Sequence, residues 1–554
     1  MSSPTTLPTT ELPTLEPLQL TSHFNLLNHL LGEQKEMTAV EQFSNWHESA
    51  PPASTAYQSL LPTSAPQSGQ QYAFEVDLDA CSGCKACVVA CHTLNGLDEH
   101  ETWRKVGLLN STTTSLPIVQ HVTTACHHCV DPGCLKGCPV LAYEKDPVTG
   151  IVRHLDDQCF GCKYCLMMCP YEVPQYNAAL GIVRKCDMCA GRLGQGEAPA
   201  CVQACPNQAI KISVVNIAAI RSYNATDGIG NRLLSTAPLN QLTQPTTQFV
   251  SKRLSNTQLP AELVSRESVT DEVQPGHEPL VAMLVLTQAS VGVWCVLAAT
   301  MILDFWSANS FMAASVTATL IGFIGVQAAL LHLGRPWLAF RSILGWRRSW
   351  LSREAIAFGL YLGAALSATA SGLFSGLSFL VPLTMVAAAA LGCTAVFCSA
   401  MIYVATRREL WSPTRTLLEF TATTIGLGLA ITSLFAAGMP SAVMLIGGAV
   451  ACTVAFVPKW IDWRAASKAE LAWNDFSGRS GRMLRSDLRK AAYSTIACLA
   501  MAGGLTVAMQ LVRIDPLKSA TMIAAVVALV ASQLFTRWLY FASVVFARMP
   551  GATT

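Results

Sequence analysis

The chain has 554 residues, of which 51% are hydrophobic and only 13% charged, with a formal net charge of +2. Ordinary globular chains carry about 25% charged residues, so the composition excludes a purely soluble chain of average make-up and points to membrane-embedded sequence. Near-neutrality argues neither for nor against nucleic acid, and no motif calls for it. Sixteen of the 21 cysteines fall between Cys81 and Cys205, which leaves a disulfide scaffold or a metal-cluster protein as alternatives.

Residues 1–71 read as a polar extension and linker. The first 22 are rich in Thr, Pro and Ser and lack the basic start and apolar run of a secretory leader, which turns the expectation away from disulfides. Ala50–Gln70 is Pro/Ser-rich linker, and one short helix is predicted over about Leu31–His47. The segment is either a disordered tail or an arm that embraces a partner. Strands are predicted at Phe74–Leu78, Ile151–Leu155 and Ala209–Val214. Residues 216–276, rich in Asn, Thr, Gln and Pro, read as an extended connector. Eight apolar stretches of about 20 residues follow, near 280–303, 311–332, 354–375, 379–405, 416–437, 441–458, 491–512 and 520–546. The breaks at 375–379 and 438–440 are short enough to be tight helical hairpins. An even number of spans puts both ends of the bundle on one side.

Four cysteine motifs occupy about 125 residues: Cys81-x2-Cys84-x2-Cys87-x3-Cys91, Cys126-x2-Cys129-x4-Cys134-x3-Cys138-Pro139, Cys159-x2-Cys162-x2-Cys165-x3-Cys169-Pro170 and Cys186-x2-Cys189-x11-Cys201-x3-Cys205-Pro206. Three thiolates on one tight loop reach three irons of one cubane. The fourth cysteine, expected to start a helix, points to a neighbouring cluster, so motifs pair by exchanging their fourth ligand. With cysteine at every position, four [4Fe–4S] clusters are expected and none reduced to three irons. Lys85, Lys136, Lys163 and Arg192 lie beside the motifs, either as solvated surface charges or as groups that raise a cluster's reduction potential.

The stretches CSGCKACVVAC, CHHCVDPGCLKGCP, CFGCKYCLMMCPYEVPQYN and KCDMCAGRL…CVQACP resemble the four-cluster subunits of the dimethyl sulfoxide, polysulfide, tetrathionate and nitrate reductase families. The resemblance implies that the first motif pairs with the fourth and the second with the third. Cys81, Cys84, Cys87 and Cys205 would then hold one cluster, and Cys186, Cys189, Cys201 and Cys91 the next. Cys126, Cys129, Cys134 and Cys169 would hold the third, and Cys159, Cys162, Cys165 and Cys138 the fourth. It also implies that the first-motif cluster faces a catalytic partner and the third-motif cluster the membrane. The nitrate reductase form has a tryptophan where this chain has Cys162.

The stretches GHEPLVAMLVLTQ, LLHLGRPWLAF and SWLSREAIAFG resemble the membrane anchor subunit of the dimethyl sulfoxide reductase family, an eight-helix, haem-free protein that binds menaquinol. Iron–sulfur and anchor subunits here look naturally fused. Independently, the anchor half offers only His277 and His332, both near one interface, so two haems are excluded by count and none is expected. Ionisable residues at membrane depth are functional candidates. His332, Glu354, Arg335 and Arg353 form the expected quinol site, with His277 nearby and Arg537 as a further candidate. Helix capping is the competing reading for His332 and Glu354. Cys295, Cys393, Cys398, Cys452 and Cys498 lack ligand spacing and are expected to be packing residues. Trp346 and Trp350 suit an interfacial aromatic belt. The loops and tail on the cluster side carry seventeen Lys and Arg, from Arg335 to Arg548, against only Arg513 and Lys518 opposite. That bias predicts a cytoplasmic iron–sulfur half on a bacterial inner (cytoplasmic) membrane.

The expected fold is an α+β double ferredoxin-like [4Fe–4S] domain at 72–215, then an all-α eight-helix transmembrane bundle at 277–554 in the lipid bilayer. The expected function is electron transfer from the quinone pool to a separate molybdopterin-containing catalytic subunit, since no region is free to hold that domain. The alternative runs the same wire from a dehydrogenase or hydrogenase subunit to quinone. A purely structural anchor is the third class considered.

Overall fold

The computed structural model of the protein describes residues 40, 57–111, 119–225, 231–252, 263–265, 270–303, 306–466, 472, 474–512 and 514–551. The chain divides into two compact units, Met1–Ser59 and Leu60–Thr554. The helix expected over 31–47 lies outside the described residues except at position 40, which is helical. Lys468 and Arg513 of the charge count also lie outside them.

The cysteine region is built from short elements because four loops consume most of its length. In chain order it contains β1 (Gln70–Asp77), α1 (Ala86–Leu94), β2 (Lys105–Ser111), β3 (Val119–Thr124), α2 (Gly133–Gly137), β4 (Tyr143–Lys145), β5 (Val152–His154) and α3 (Tyr164–Met168). It closes with β6 (Gln175–Asn177), β7 (Ile182–Arg184), α4 (Ala190–Gly194), α5 (Ala200–Gln203) and β8 (Ile210–Asn216). β1 and β8 pair antiparallel, with Phe74 opposite Ile212. β4–β5 and β6–β7 form two small hairpins. The three predicted strands fall on β1, β5 and β8.

The fourth cysteines do not start helices, contrary to the expectation from spacing. The backbone turns left-handed at Lys85 and Lys163, and α1 and α3 begin one residue later. Each helix therefore starts around the third cysteine. Cys91 lies inside α1, while Cys138 and Cys169 cap the C-termini of α2 and α3.

The connector has more structure than its composition advertises. It forms α6 (Ile217–Ala225), β9 (Gln248–Val250) and β10 (Leu263–Ser265). β9 adds to β1 in parallel and β10 adds to β2 antiparallel. Its polar side chains hide this, because the attachment is through the backbone: Val130 N–H donates to Gln244 O (2.8 Å) and Thr246 N–H to His127 O (3.2 Å).

Among the described residues eight helical spans follow, at 278–300, 308–332, 350–373, 376–404, 413–433, 439–465, 489–511 and 515–542, each long and apolar enough to cross a membrane. Spans one and five are central: 78% and 72% of their apolar windows are buried, against 28–50% in the others. They cross where Gly292 meets Gly428. A Cβ on Gly292 would lie 2.0 Å from Thr424 O, so the backbones approach as only small residues allow.

The two halves of the second unit meet through backbone. The loop after span two lays Gly334 N–H on Gly161 O (3.4 Å) and Arg335 N–H on Phe160 O (3.0 Å). Farther along, Gly345 N–H donates to Pro139 O (2.7 Å) and Ser349 Oγ to Gly137 O (2.7 Å). A Cβ on Gly334 would lie 2.1 Å from Gly181 O, which is backbone and cannot swing aside. Gly334→Val should therefore weaken this seam by about 1–3 kcal/mol, the usual cost of overpacking. In thermal unfolding of the detergent-solubilised protein, the cysteine region should melt earlier than in the parent. An unchanged profile would contradict the close docking.

Candidate functional site: four cysteine sets and the membrane seam

The structure brings the sixteen cysteines together in four sets, each drawn from two motifs. Set A is Cys81, Cys84, Cys87 and Cys205, which line one cavity. Set B is Cys186, Cys189, Cys201 and Cys91, whose thiols feel one another's charge. Set C is Cys126, Cys129, Cys134 and Cys169, again around one cavity. Set D is Cys138, Cys159, Cys162 and Cys165.

Burial pushes many of these thiols up, and the negative charge of neighbouring thiolates adds to it in sets B, C and D. Cys91 rises to about 12. Cys138 and Cys169 rise to about 11, against opposing backbone N–H groups. Cys159 goes the other way, because the adjacent His154 outweighs burial. Crowded buried thiols are poor thiolates until a cationic core neutralises them, and ligand deprotonation is coupled to metal binding. Among the described residues no three Cys, His, Asp or Glu side chains converge to hold a single ion. A tetrahedral zinc site would hold its sulfurs roughly 3.8 Å apart, from Zn–S bonds of about 2.3 Å. Four cysteines to a set, three from one short loop and one from a partner motif, is the ligand complement of a cubane cluster. Backbone N–H groups already point at several sulfurs: Ala142 at Cys138 (3.2 Å), Ala209 at Cys205 (3.2 Å) and Met188 at Cys186 (3.4 Å). Such hydrogen bonds are one of the protein's levers on potential.

The four cations beside the motifs lie at the periphery. Lys136 pairs with Asp131 (2.5 Å) and Arg192 with Glu197 (2.8 Å). Lys163 sits over the Tyr176 ring (4.1 Å), and Lys85 is exposed. The cations that enter the interior are Arg104 and Lys185, which no spacing singled out. Lys185 had one available signal, its place directly before Cys186. His127 and His128, also unremarked, are buried and line the cavity of set C. Burial, assisted by the nearby Arg104, depresses His127 to about 3, so it is neutral.

Set D lies against the membrane half. The seam residues Gly137, Pro139, Phe160 and Gly161 belong to the motifs that supply it, and Tyr164 donates its hydroxyl to Ile402 O in span four (3.0 Å). Beside this seam the His332 ring is buried, its Nδ1 makes no well-formed hydrogen bond among the described residues, the Ala329 backbone lies within its reach, and Lys163 and His277 are charged groups in its field. His277 caps span one and meets the Phe541 ring edge-on (5.6 Å). Glu354 is buried and accepts a hydrogen bond from Ser399, with Tyr164 and Tyr403 in its field. Arg335 and Arg353 do not join these groups. Arg335 Nε donates to Leu180 O (3.2 Å), and Arg353 donates to Trp346 O (3.0 Å) and Arg347 O (2.9 Å). Both guanidinium groups brace backbone.

A second polar group inside the bundle escaped the sequence reading in part. Arg537 donates to Gln288 (3.1 Å) and lies over Phe420 (4.0 Å), with Nε and Nη1 unpartnered among the described residues. Glu419, whose Oε2 is also unpartnered, is in its field. Glu419 was findable, since it is an ionisable residue two turns into a span. Cys295 and Cys393 prove to be neighbours across spans one and four, with sulfurs 3.4 Å apart.

Comparison with known proteins accords with this architecture. Residues 118–215 match the 4Fe-4S dicluster domain family, and residues 275–542 match the DMSO reductase anchor subunit (DmsC) family. The cysteine region is 34% identical over 187 residues to the B subunit of the anaerobic dimethyl sulfoxide reductase of Haemophilus influenzae, covering 32% of this protein and 87% of that one. It is 35% identical over 156 residues to the thiosulfate reductase electron transfer subunit PhsB of Salmonella typhi, covering 28% and 81%. It is 36% identical over 160 residues to the hydrogenase-2 operon protein HybA of Escherichia coli O157:H7, covering 24% and 49%. With paired cysteine sets in the first half and eight spans in the second, the protein belongs to the family of dimethyl sulfoxide reductase B subunits, as an iron–sulfur electron-transfer subunit continuous with a DmsC-type multi-pass membrane anchor.

Proposed function

We propose that this protein oxidises quinol at the seam and passes electrons through four [4Fe–4S] clusters, one in each set, to a separate molybdopterin-containing subunit. The observation that carries the reading is the placement of set D directly on the span ends, beside the buried His332. Bound in the sets, [4Fe–4S] clusters supply one-electron carriers. The order from the membrane is then D, C, B and A. Set A, with exposed Cys84 and half-buried Cys81 and Cys205, presents the far end to the catalytic partner.

The protein's own groups handle the protons. His332 Nδ1 is available to a quinol hydroxyl. Glu354, held by Ser399, is a buried carboxyl whose field reaches Tyr164 in the loop of set D. Arg335 and Arg353 fix the loop rather than the substrate. With no haem relay needed, electron and proton leave quinol on the cluster side, which the charge bias assigns to the cytoplasm. A second reading runs the wire toward quinone, and the likeness to a hydrogenase-2 operon protein favours keeping it. Cluster potentials and the copurifying subunit separate the two.

Anaerobically purified protein should contain about sixteen irons, four per cubane, and show no b-type haem absorption. Half that iron, or a stoichiometric haem spectrum, would count against the assignment. His332→Ala and Glu354→Gln should each slow quinol-dependent cluster reduction by about 100-fold, the low end of general acid–base contributions, with iron content unchanged. Normal rates in both variants would remove the site from the seam.

A further inference from the structure

Two side chains carry positive charge into the interior of the cysteine region. Arg104 is 2% exposed and Lys185 is 3% exposed. Among the described residues neither has a carboxylate partner, although buried charges are normally paired.

Arg104 stands just before β2, stacked over the Phe74 ring (4.6 Å). Its Nη1 donates to Thr123 Oγ1 (3.3 Å), which lies 3.5 Å from Cys87 Sγ of set A. Its Nη2 is buried without a partner among the described residues. Around it are Cys201, Cys186 and Cys91 of set B, with Cys87 of set A. Lys185 follows β7. Its Nζ donates to Val152 O, to Cys186 O (2.8 Å) and towards Cys126 Sγ of set C (3.7 Å). Around it are Cys126 and Cys134 of set C and Cys186 of set B, with the Asp187 carboxylate a weaker influence that forms no ion pair with it.

Set D has no buried Lys or Arg neighbour among the described residues; the buried group beside it that can carry positive charge is His154. Lys163, in its own loop, is partly exposed and turned onto Tyr176. His154, beside Cys159, is offset by Asp156 at 2.8 Å.

We propose that Arg104 and Lys185 are fixed counter-charges placed between successive clusters, Arg104 between sets A and B and Lys185 between sets B and C. They raise the reduction potentials of those three clusters relative to the cluster of set D. This inference rests on the ligand sets proposed above. Its consequence is directional: an electron leaving set D moves towards positive charge. Each cation also lowers the repulsion between reduced clusters on either side of it.

The test is a redox titration of the full-length protein followed by electron paramagnetic resonance. Each signal is first assigned with Cys84→Ser, Cys189→Ser, Cys129→Ser and Cys162→Ser. Arg104→Met should lower the potentials of sets A and B, and Lys185→Met those of sets C and B. The expected fall is a tenfold change in the one-electron equilibrium, about 59 mV, with set D unmoved in both. Arg104→Lys and Lys185→Arg keep the charge and should stay close to the parent values. Unmoved potentials with iron retained would overturn the inference. So would a fall of that size in the charge-preserving variants, which also decide the matter should a Met variant lose iron. Four normal parent signals that do not respond overturn only this inference, whereas a parent without four signals overturns the ligand sets as well.

Discussion

The arrangement depends on one contact, the backbone-to-backbone seam between the loop after span two and the loops of the second and third cysteine motifs. Gly334 and Arg335 hydrogen-bond to Gly161 and Phe160, and Gly345 to Pro139. Main-chain docking of this kind leaves no room for side chains, which is why Gly161, Gly181 and Gly334 meet there. It also leaves no slack. The same loops that dock carry Cys138, Cys159 and Cys162, and the segment that receives them begins one residue after His332. A single rigid contact thus fixes the membrane end of the cysteine ladder and the histidine beside it.

A second constraint is electrostatic. Buried thiols such as Cys91, Cys134 and Cys165 are held with their ionisation opposed, and two cations without carboxylate partners are buried among the cysteine sets. Neither is economical in an ordinary core. Each compensates the other once metal-bound thiolates fill the sets. The bundle shows a milder form of the same tension at Glu419 and Arg537, where one carboxylate oxygen and two guanidinium nitrogens lack partners among the described residues. Buried groups of this kind persist in a span when they answer one another's charge.

Much of this was legible in the sequence because the signals are short-range and repeated. Cysteine spacing marks the four loops, and eight apolar runs mark the spans to within a few residues. What was not legible is what three dimensions bring together. The polar connector carries no sign of β9 or β10, because edge pairing uses backbone alone. The helices of the cysteine loops start around the third cysteine because Lys85 and Lys163 turn left-handed, a conformation that lysine does not announce. Arg335 and Arg353 looked like substrate ligands by their position at span ends, yet their guanidinium groups meet carbonyls. Arg104 lies seventeen residues beyond Cys87, and only the folded protein puts it beside that cysteine.

The central claim is that electrons cross the seam at set D, and Cys162 is the member of that set on which it can be tested most directly. In the assembled complex, Cys162→Ser should abolish quinol-dependent turnover while an artificial donor that feeds the catalytic partner directly still supports it, with the other three cluster signals intact. Equal loss with both donors, or full quinol-dependent activity without the set D signal, would contradict the account.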